Sequence, residues 1–403
     1  MKEDAINRRK FCSSSLVAIC CATAHSHALS LAISPVERES LDLAKVERAR
    51  VLRAVEKYVG EKPVTLTSFH SERSAGGIHD YFSEADYFWP DPANPGGPYI
   101  NRDGQSNPGN FNDHRLALIR LSLQMPALTA AWKITGSKKY ADKAADHLRA
   151  WFVTPATRMH PNLEFAQAVH GRSTGRNFGI IDTLHLVEVA RAISVLHPSG
   201  ALTPVEHNAV MAWFSEYLVW LTTSERGHQE RDTKNNHATT WLVQAAEFAR
   251  LTGNDAVMRD CRNRLRTVII PNQIAQDGSF PLELARTKPY SYSLFNLDMV
   301  ATACEILSIA SDDLWTFETA DGRSVRRAMD FMVPFIRDKS TWPYKHDVEH
   351  FNELPVRQPS LLFGGLALHQ PKWIELWRSL EADPTSPEII RNFPIRQPVL
   401  WIK

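Results

Sequence analysis

The residues Thr239-Thr240-Trp241-Leu242-Val243-Gln244-Ala245-Ala246-Glu247-Phe248-Ala249-Arg250-Leu251-Thr252-Gly253 decide the fold. Alanine, leucine, glutamine and glutamate run through them, residues that lose little side-chain freedom in a helix. Gly253 stops that helix, because glycine takes a left-handed cap at no steric cost. Asp255 begins a second one, predicted to reach Val268. Earlier in the chain, Ala130-Ala131-Trp132-Lys133-Ile134-Thr135-Gly136 matches this text after a slip of two residues, and a helix over 138–152 follows. A helix, a glycine stop and a second helix, written twice, mark repeated helical hairpins.

Working outward, Ser34-Pro35-Val36-Glu37 and Thr203-Pro204-Val205-Glu206 are two copies of one helix start: a capping hydroxyl, proline in the first turn and a glutamate that reaches back. They predict helices to about Val59 and Leu221. Further helices are expected over 112–124, 127–135 (with Pro126 in its first turn), 180–196, 292–309 and 324–336. No run alternates convincingly as a strand. The stretch 269–290 reads as loop or short strand, and the tail after Pro384 as irregular. Two long loops, roughly 60–110 and 154–177, interrupt the helices, and the aromatic content of the first argues that it is ordered. The expectation is an all-α chain forming an (α/α) toroid of six or seven hairpins, with long loops lining a central cleft. An open solenoid is the alternative, and the long loops favour the closed ring. No linker divides residues 34–403, which read as one domain.

A net charge of +1 over 403 residues creates no field that would gather nucleic acid or an anionic membrane. An anionic ligand would need locally placed Arg and Lys. Arg8-Arg9-Lys10-Phe11 precedes a short run of small and apolar residues, 13–24, with Ala22-Thr23-Ala24 and Ser26-His27-Ala28 as cleavage candidates. Residues 1–28 therefore read as an export signal whose arginine pair resembles the twin-arginine type. The run is too short to span a bilayer, and no later stretch approaches the ~20 apolar residues a span needs. The expectation is a periplasmic or secreted monomer with no membrane or nucleic-acid partner. Three of the five cysteines fall in this signal; Cys261 and Cys304 remain, to pair or to be buried singly.

Two segments carry the chemistry. Asn235-Asn236-His237 puts two carboxamides and an imidazole where a loop leads into a helix, and alone it serves equally well as a helix cap. Glu283-Leu284-Ala285-Arg286-Thr287, with Tyr292 beyond it, adds a permanent cation suited to a carboxylate and a phenol at a helix start. Read separately, Arg286 could pair with Glu283 and Tyr292 could pack in the core. Together the two segments match β-elimination across a uronic acid residue. Removing the C5 proton requires the C6 carboxylate to be neutralised, which Asn and Arg do by directed hydrogen bonds. A His or a deprotonated Tyr takes the proton, and a Tyr hydroxyl protonates the departing O4. No water is activated, so no metal or cofactor is called for. The chain has no His-Glu-x-x-His, no zinc-spaced cysteine pair, no Gly-x-Ser-x-Gly elbow, no P-loop and no dinucleotide fingerprint. His346, Asp347, Glu349 and His350 read as a solvated face. Asp80, Glu84 and Asp86 leave open a glycoside hydrolase on the same fold. A non-catalytic polyuronate-binding protein is the alternative of another kind.

The sequence resembles the alginate-lyase-like superfamily of α/α toroid polysaccharide lyases, most nearly polysaccharide lyase family 38, which acts on polymannuronate and glucuronan. The resemblance spans roughly 65–345. It rests on Gly76-Gly77-Ile78-His79-Asp80-Tyr81 with Ser83-Glu84 and Asp86-Tyr87, on Trp89-Pro90-Asp91-Pro92 and Arg102-Asp103-Gly104, and on Thr157-Arg158-Met159 with Pro161-Asn162-Leu163 and Ala166-Gln167. It continues through Gly175-Arg176, Gly179-Ile180-Ile181-Asp182, Asn235-Asn236-His237, and the Arg286 segment with Tyr292 and Asn296. It implies a polyuronate substrate, Asn236 as carboxylate neutraliser, His237 as base or helper in neutralisation, Arg286 beside the catalytic Tyr, and Tyr292 as acid. Mannuronate and glucuronate differ only at C2, so both favour Tyr292 as acid and base together, whereas guluronate would put His237 forward as base. Gln167, Arg176, Tyr81, Tyr87 and Trp89 are expected to face substrate, as are Asn235, Glu283 and Asn296. His160 and Phe165 stand where Asn and Tyr are expected and bear on subsite preference.

Overall fold

A computed structural model describes residues 41–402. The expected export signal and the expected Ser34-Pro35 helix start lie outside the described residues. Helix α1 (Leu43–Tyr58) is capped by Asp42, whose Oδ1 accepts from the Lys45 amide at 2.9 Å. The long loop after it is ordered and carries three short strands, β1 (Phe82–Glu84), β2 (Phe88–Trp89) and β3 (Ile100–Asn101). Next come α2 (Asp113–Thr135) and α3 (Lys138–Leu148), then β4 (Phe165–Ala168), which pairs parallel to β1 while β2 and β3 pair antiparallel. A 3-10 stretch (Asn177–His185) leads into α4 (Leu186–Leu196), followed by α5 (Pro204–Thr223), α6 (Glu225–Arg231), α7 (Asn236–Thr252) and α8 (Asp255–Arg264). The segment expected as loop or strand holds two short helices, α9 (Ile270–Gln273) and α10 (Pro281–Leu284). After α11 (Pro289–Leu307), α12 (Val325–Arg337), α13 (Pro359–Ala367) and α14 (Pro371–Ser379), the tail forms two more, α15 (Pro387–Arg391) and α16 (Pro398–Trp401).

Helices α2, α4, α7, α11 and α13 pack each against the next as an inner ring. They are buried around most of their circumference, as a helix apolar on all sides must be. Helices α1, α3, α5, α8, α12 and α14 lie outside, each burying one face against an inner helix. The short α16, which follows α15, packs on α1, α2 and α4, and the two layers of described helices form an α/α toroid. Phe248 of α7, buried against Phe214 and Tyr217 of α5, is typical of the contact between rings. Burying such a side chain is worth about 1.5–3 kcal/mol.

Local signals in the sequence set the helix ends. Gly136 and Gly253 adopt the left-handed conformation, with φ of 68° and 70°. Thr203 and Glu206 form the reciprocal capping box. Pro126 does not start a helix, because α2 runs through it. An internal proline costs about 3 kcal/mol, but Met125, Ala127 and Leu128 around it are fully buried, and that packing holds the helix together. Helix α7 begins at Asn236, three residues before the expected Thr239, with Asn235 as its cap. Cys261 and Cys304 are each buried and form no disulfide with one another. Among the described residues, no helix is long and apolar enough to cross a membrane.

Candidate active site

The N-terminal ends of α7 and α11, and the 3-10 stretch before α4, meet at one end of the ring. There they open into a cleft of about 1130 Å3, including its open mouth. The first amides of α7 and α11 are capped by Glu283, Asn235 and Asp347, so an anion in the cleft would be met by side chains, Arg176 and Arg286 among them. The loops close the walls. Asp86, Tyr87, Phe88, Asn101 and Asp103 come from the β1–β3 region, Gln167 and Arg176 from around β4, and Arg391 and Asn392 from α15 and the residue after it. Asn235, Asn236, His237, Arg286 and Tyr292 all line this one cleft.

Each central side chain is held by a partner. The backbone N and Nδ2 of Asn236 donate to the two oxygens of buried Glu283, both at 2.7 Å, leaving the second N–H of the carboxamide free. Burial pushes the Glu283 carboxyl above its ordinary value, and the Asn236 bonds pull it partly back. Nδ1 of His237 lies 2.5 Å from Oε1 of Glu230, a fully buried carboxylate that also accepts from Asn177 at 3.0 Å. With Nδ1 donating to Glu230, Nε2 is the nitrogen left for a ligand. Phe178 stands edge-on to the His237 ring, 5.0 Å away.

Arg286 pairs with Asp103 (2.7 and 3.2 Å) rather than with Glu283, and its guanidinium lies 4.5 Å over the Tyr292 ring. Burial would lower the Arg286 cation, but Asp103 and Tyr292 raise it above its usual value. Burial likewise would raise the Asp103 carboxyl, and Arg286 holds it below the usual carboxylate range. The Tyr292 hydroxyl lies 3.0 Å from that of Tyr87. Burial, reinforced by Tyr87, pushes the Tyr292 phenol well above its ordinary value, with Arg286 acting the other way.

Gln167 and Arg176 form a second group in the cleft. Gln167 is a non-glycine residue in the left-handed region, φ 49°, a conformation that costs about 1–2 kcal/mol. It is fixed there because its amide donates to Ser83 Oγ (2.9 Å) and its carbonyl and Oε1 accept from Arg176 (3.0 and 3.1 Å). Arg176 also lies over the rings of Phe88 and Phe178, at 4.8 and 5.2 Å. Gly175 precedes it because any Cβ there would strike the Glu164 carbonyl.

Four residues expected to face substrate stand elsewhere. Tyr81 is fully buried, its hydroxyl donating to Asp182 at 3.1 Å; together with Ser83 and Gln167 it satisfies that carboxylate beneath the cleft. Trp89 follows Phe88 on β2, so strand alternation turns it out of the cleft. Its indole donates to the Gln105 carbonyl at 2.9 Å. Glu283 is buried and spends both oxygens on Asn236. Asn296 is fully buried and donates to Gln273 (2.9 Å), which in turn donates to the Asn235 carbonyl and so braces the start of α7. Sequence reasoning assigned no role to Glu230, Asp103, Asp182, Arg391 or Asn392, although Asp103 and Asp182 lie in motifs that carry the resemblance. For Glu230 the local clue is its i, i+7 spacing from His237 across a turn.

Of the His346 group, Asp347 caps α11 through the amides of Tyr290 and Ser291 (2.8 and 2.9 Å), and Glu349 meets Lys288. Among the described residues no cluster of three or more His, Cys, Asp or Glu converges to hold a metal.

A family model described as alginate lyase matches residues 65–342. A crystal structure of an alginate lyase from Bacteroides ovatus is similar with a TM-score of 0.76 and 30% identity, over 87% of this chain and 93% of that one. A likeness in fold alone, with a TM-score of 0.54 and 14% identity, links the chain to alginate lyase A1-III of Sphingomonas species A1 in a tetrasaccharide complex; it covers 89% of this chain and 94% of the other. No curated protein matched. A helical double ring with a loop-walled cleft at one end, in a chain similar to alginate lyases, is the architecture of an α/α toroid polysaccharide lyase. Within that class, the chain belongs to the alginate lyase family.

Proposed function

We propose that this enzyme cleaves β-1,4-linked polyuronate, polymannuronate or glucuronan, by β-elimination in the cleft described above. The free N–H of Asn236 and the Arg286 guanidinium neutralise the C6 carboxylate, with His237 held beside them by Glu230, so that negative charge developing on loss of the C5 proton is tolerable. Tyr292, as phenolate, takes that proton. The C5–H electrons form the C4–C5 double bond, the C4–O4 bond breaks toward O4, and Tyr292 returns the proton to O4. No water is consumed. Arg286 over the Tyr292 ring favours the phenolate. Arg176, a part-buried cation braced by Gln167, suits a second uronate carboxylate. The observation that carries this reading is the convergence of Asn236, His237, Arg286 and Tyr292, drawn from two separate segments, on a single cleft.

A hydrolase needs one carboxyl kept protonated as acid. The two carboxylates in the cleft, Asp86 and Asp103, are each tied to arginine and held below the usual value despite their burial. Glu84 is spent on Arg73 and the Phe111 amide, and Asp80 on His160 and the Gly77 amide. Incubating the enzyme with polymannuronate, polyguluronate and glucuronan tests the reading. Ultraviolet absorbance from the new double bond should rise with the first or the third. Reducing ends without that absorbance would identify a hydrolase, and binding without either product a carbohydrate-binding protein.

We propose further that residues 1–28 direct export to the periplasm or beyond. Support comes from Arg8-Arg9-Lys10-Phe11 and the small-residue sites that follow. Expressed in a bacterium, the protein should appear outside the cytoplasm with its N-terminus near residue 25 or 29, and a cytoplasmic product starting at Met1 would exclude this.

A further inference from the structure

We propose that α15, a single turn in the C-terminal tail, is the positioning element for the Tyr87–Tyr292 hydroxyl pair. The inference rests on the reading above, in which Tyr292 transfers the proton. The tail is fastened on both sides of α15. Before it, Arg50 of α1 pairs with Asp383 at 2.9 Å. After it, Glu188 of α4 accepts from the amides of Arg396 and Gln397 and from the Trp401 indole, at 2.9, 2.7 and 3.2 Å. The turn between these anchors carries two charged side chains at i and i+3, a spacing that puts them on one face.

Each pairs with the side chain of a residue close in sequence to one tyrosine. Arg391 pairs with Asp86 at 3.0 Å, and Asp86 immediately precedes Tyr87. Glu388 meets Lys288 at 3.3 Å, and buried Lys288 is the cap of α11, whose first turn carries Tyr292. The Lys288 ammonium also lies 5.7 Å from the centre of the Tyr87 ring. Arg391 and Glu388 are themselves 3.5 Å apart, which closes a loop of charges around the two tyrosines. Tyr87 stands on a long loop and Tyr292 on an inner helix, 205 residues apart in sequence. The Arg391–Glu388 turn is the piece that grips both, and it lies outside the 65–342 stretch on which the family match rests.

The test is a double-mutant cycle on the full chain, reading kcat and KM from the unsaturated product. Arg391→Gln should lower kcat about 10- to 100-fold, the scale of a misplaced catalytic group, and change KM by less than about threefold. Arg391→Lys should restore most of the rate. With Tyr87→Phe already in place, adding Arg391→Gln should cost less than about twofold, because the hydroxyl pair is already broken. Equal losses in the two backgrounds, or an unchanged kcat in Arg391→Gln, overturn the proposal. Where Arg391→Gln does not fold, Glu388→Gln carries the same cycle. Tyr292→Phe, run alongside, separates the failures: if it is inactive while Arg391→Gln is fully active, only this proposal falls. If Tyr292→Phe is active, the reading of the site falls and this proposal with it.

Discussion

Tyr292→Phe should lower kcat by about 10²- to 10⁴-fold, the range for a positioned proton-transfer group, while the protein stays folded. The phenyl ring keeps its place beneath Arg286, and the hydroxyl leaves behind a single partner, Tyr87. One such hydrogen bond is worth about 0.5–1.5 kcal/mol, too little to unfold a chain with this much buried core. The pH profile makes the assignment sharper. Burial and Tyr87 hold the Tyr292 phenol above its ordinary value, so the phenolate is a minor form at neutral pH and its fraction grows as pH rises. With Tyr292 as base, kcat should climb through the neutral and alkaline range with no plateau below about pH 10, where ordinary phenols titrate. The residual rate of Tyr292→Phe should lose that slope. A wild-type rate already flat above neutrality would move the base to another group, and His237 is the one in place.

What the sequence revealed followed the range of the interactions involved. Gly136, Gly253 and the Thr203–Glu206 box act within one turn of chain, and each was readable in isolation. Pro126 obeys the same local rules but is overridden by burial, which no local rule contains. The motifs proposed to carry the reaction were visible as residue types; their partners were not. Arg286 might have paired with Glu283, three residues away, yet it pairs with Asp103, separated from it by 183 positions. Glu283 instead orients Asn236. Tyr81 and Tyr87 share one aromatic stretch, and only the turn of the chain between them sends one to Asp182 in the core and the other to Tyr292 in the cleft. The tail after Pro384 read as irregular because α15 and α16 are too short to show a helical period, and its hold on the ring comes from α1 and α4, far away in sequence.

Asn236→Asp should abolish activity and make stability depend on pH, by separable routes. The substitution replaces the carboxamide nitrogen, 2.7 Å from Glu283, with an oxygen. At neutral pH the new carboxylate repels the substrate's own, so a donor to the developing charge becomes a like charge. Losing one such donor costs about 10²–10³ in kcat, and the repulsion adds to that. The stability effect comes from the Glu283 side. Its carboxyl is already raised by burial and drawn back partly by Asn236. A second carboxyl in place of that amide removes the relief, so the pair holds a proton to higher pH in the folded chain than in the unfolded one. The folded state then binds more protons, and stability is lost as pH rises. The melting temperature of Asn236→Asp should lie near that of the wild type below about pH 4, the usual carboxylate range, and fall progressively behind it above. Adding Glu283→Gln restores a donor to face the new carboxylate, so Asn236→Asp/Glu283→Gln should recover much of the stability at pH 8 and none of the activity. Recovery of both would mean that Asn236 serves only to hold the helix start; recovery of neither would mean that the Glu283 contact does not govern the fold at this point.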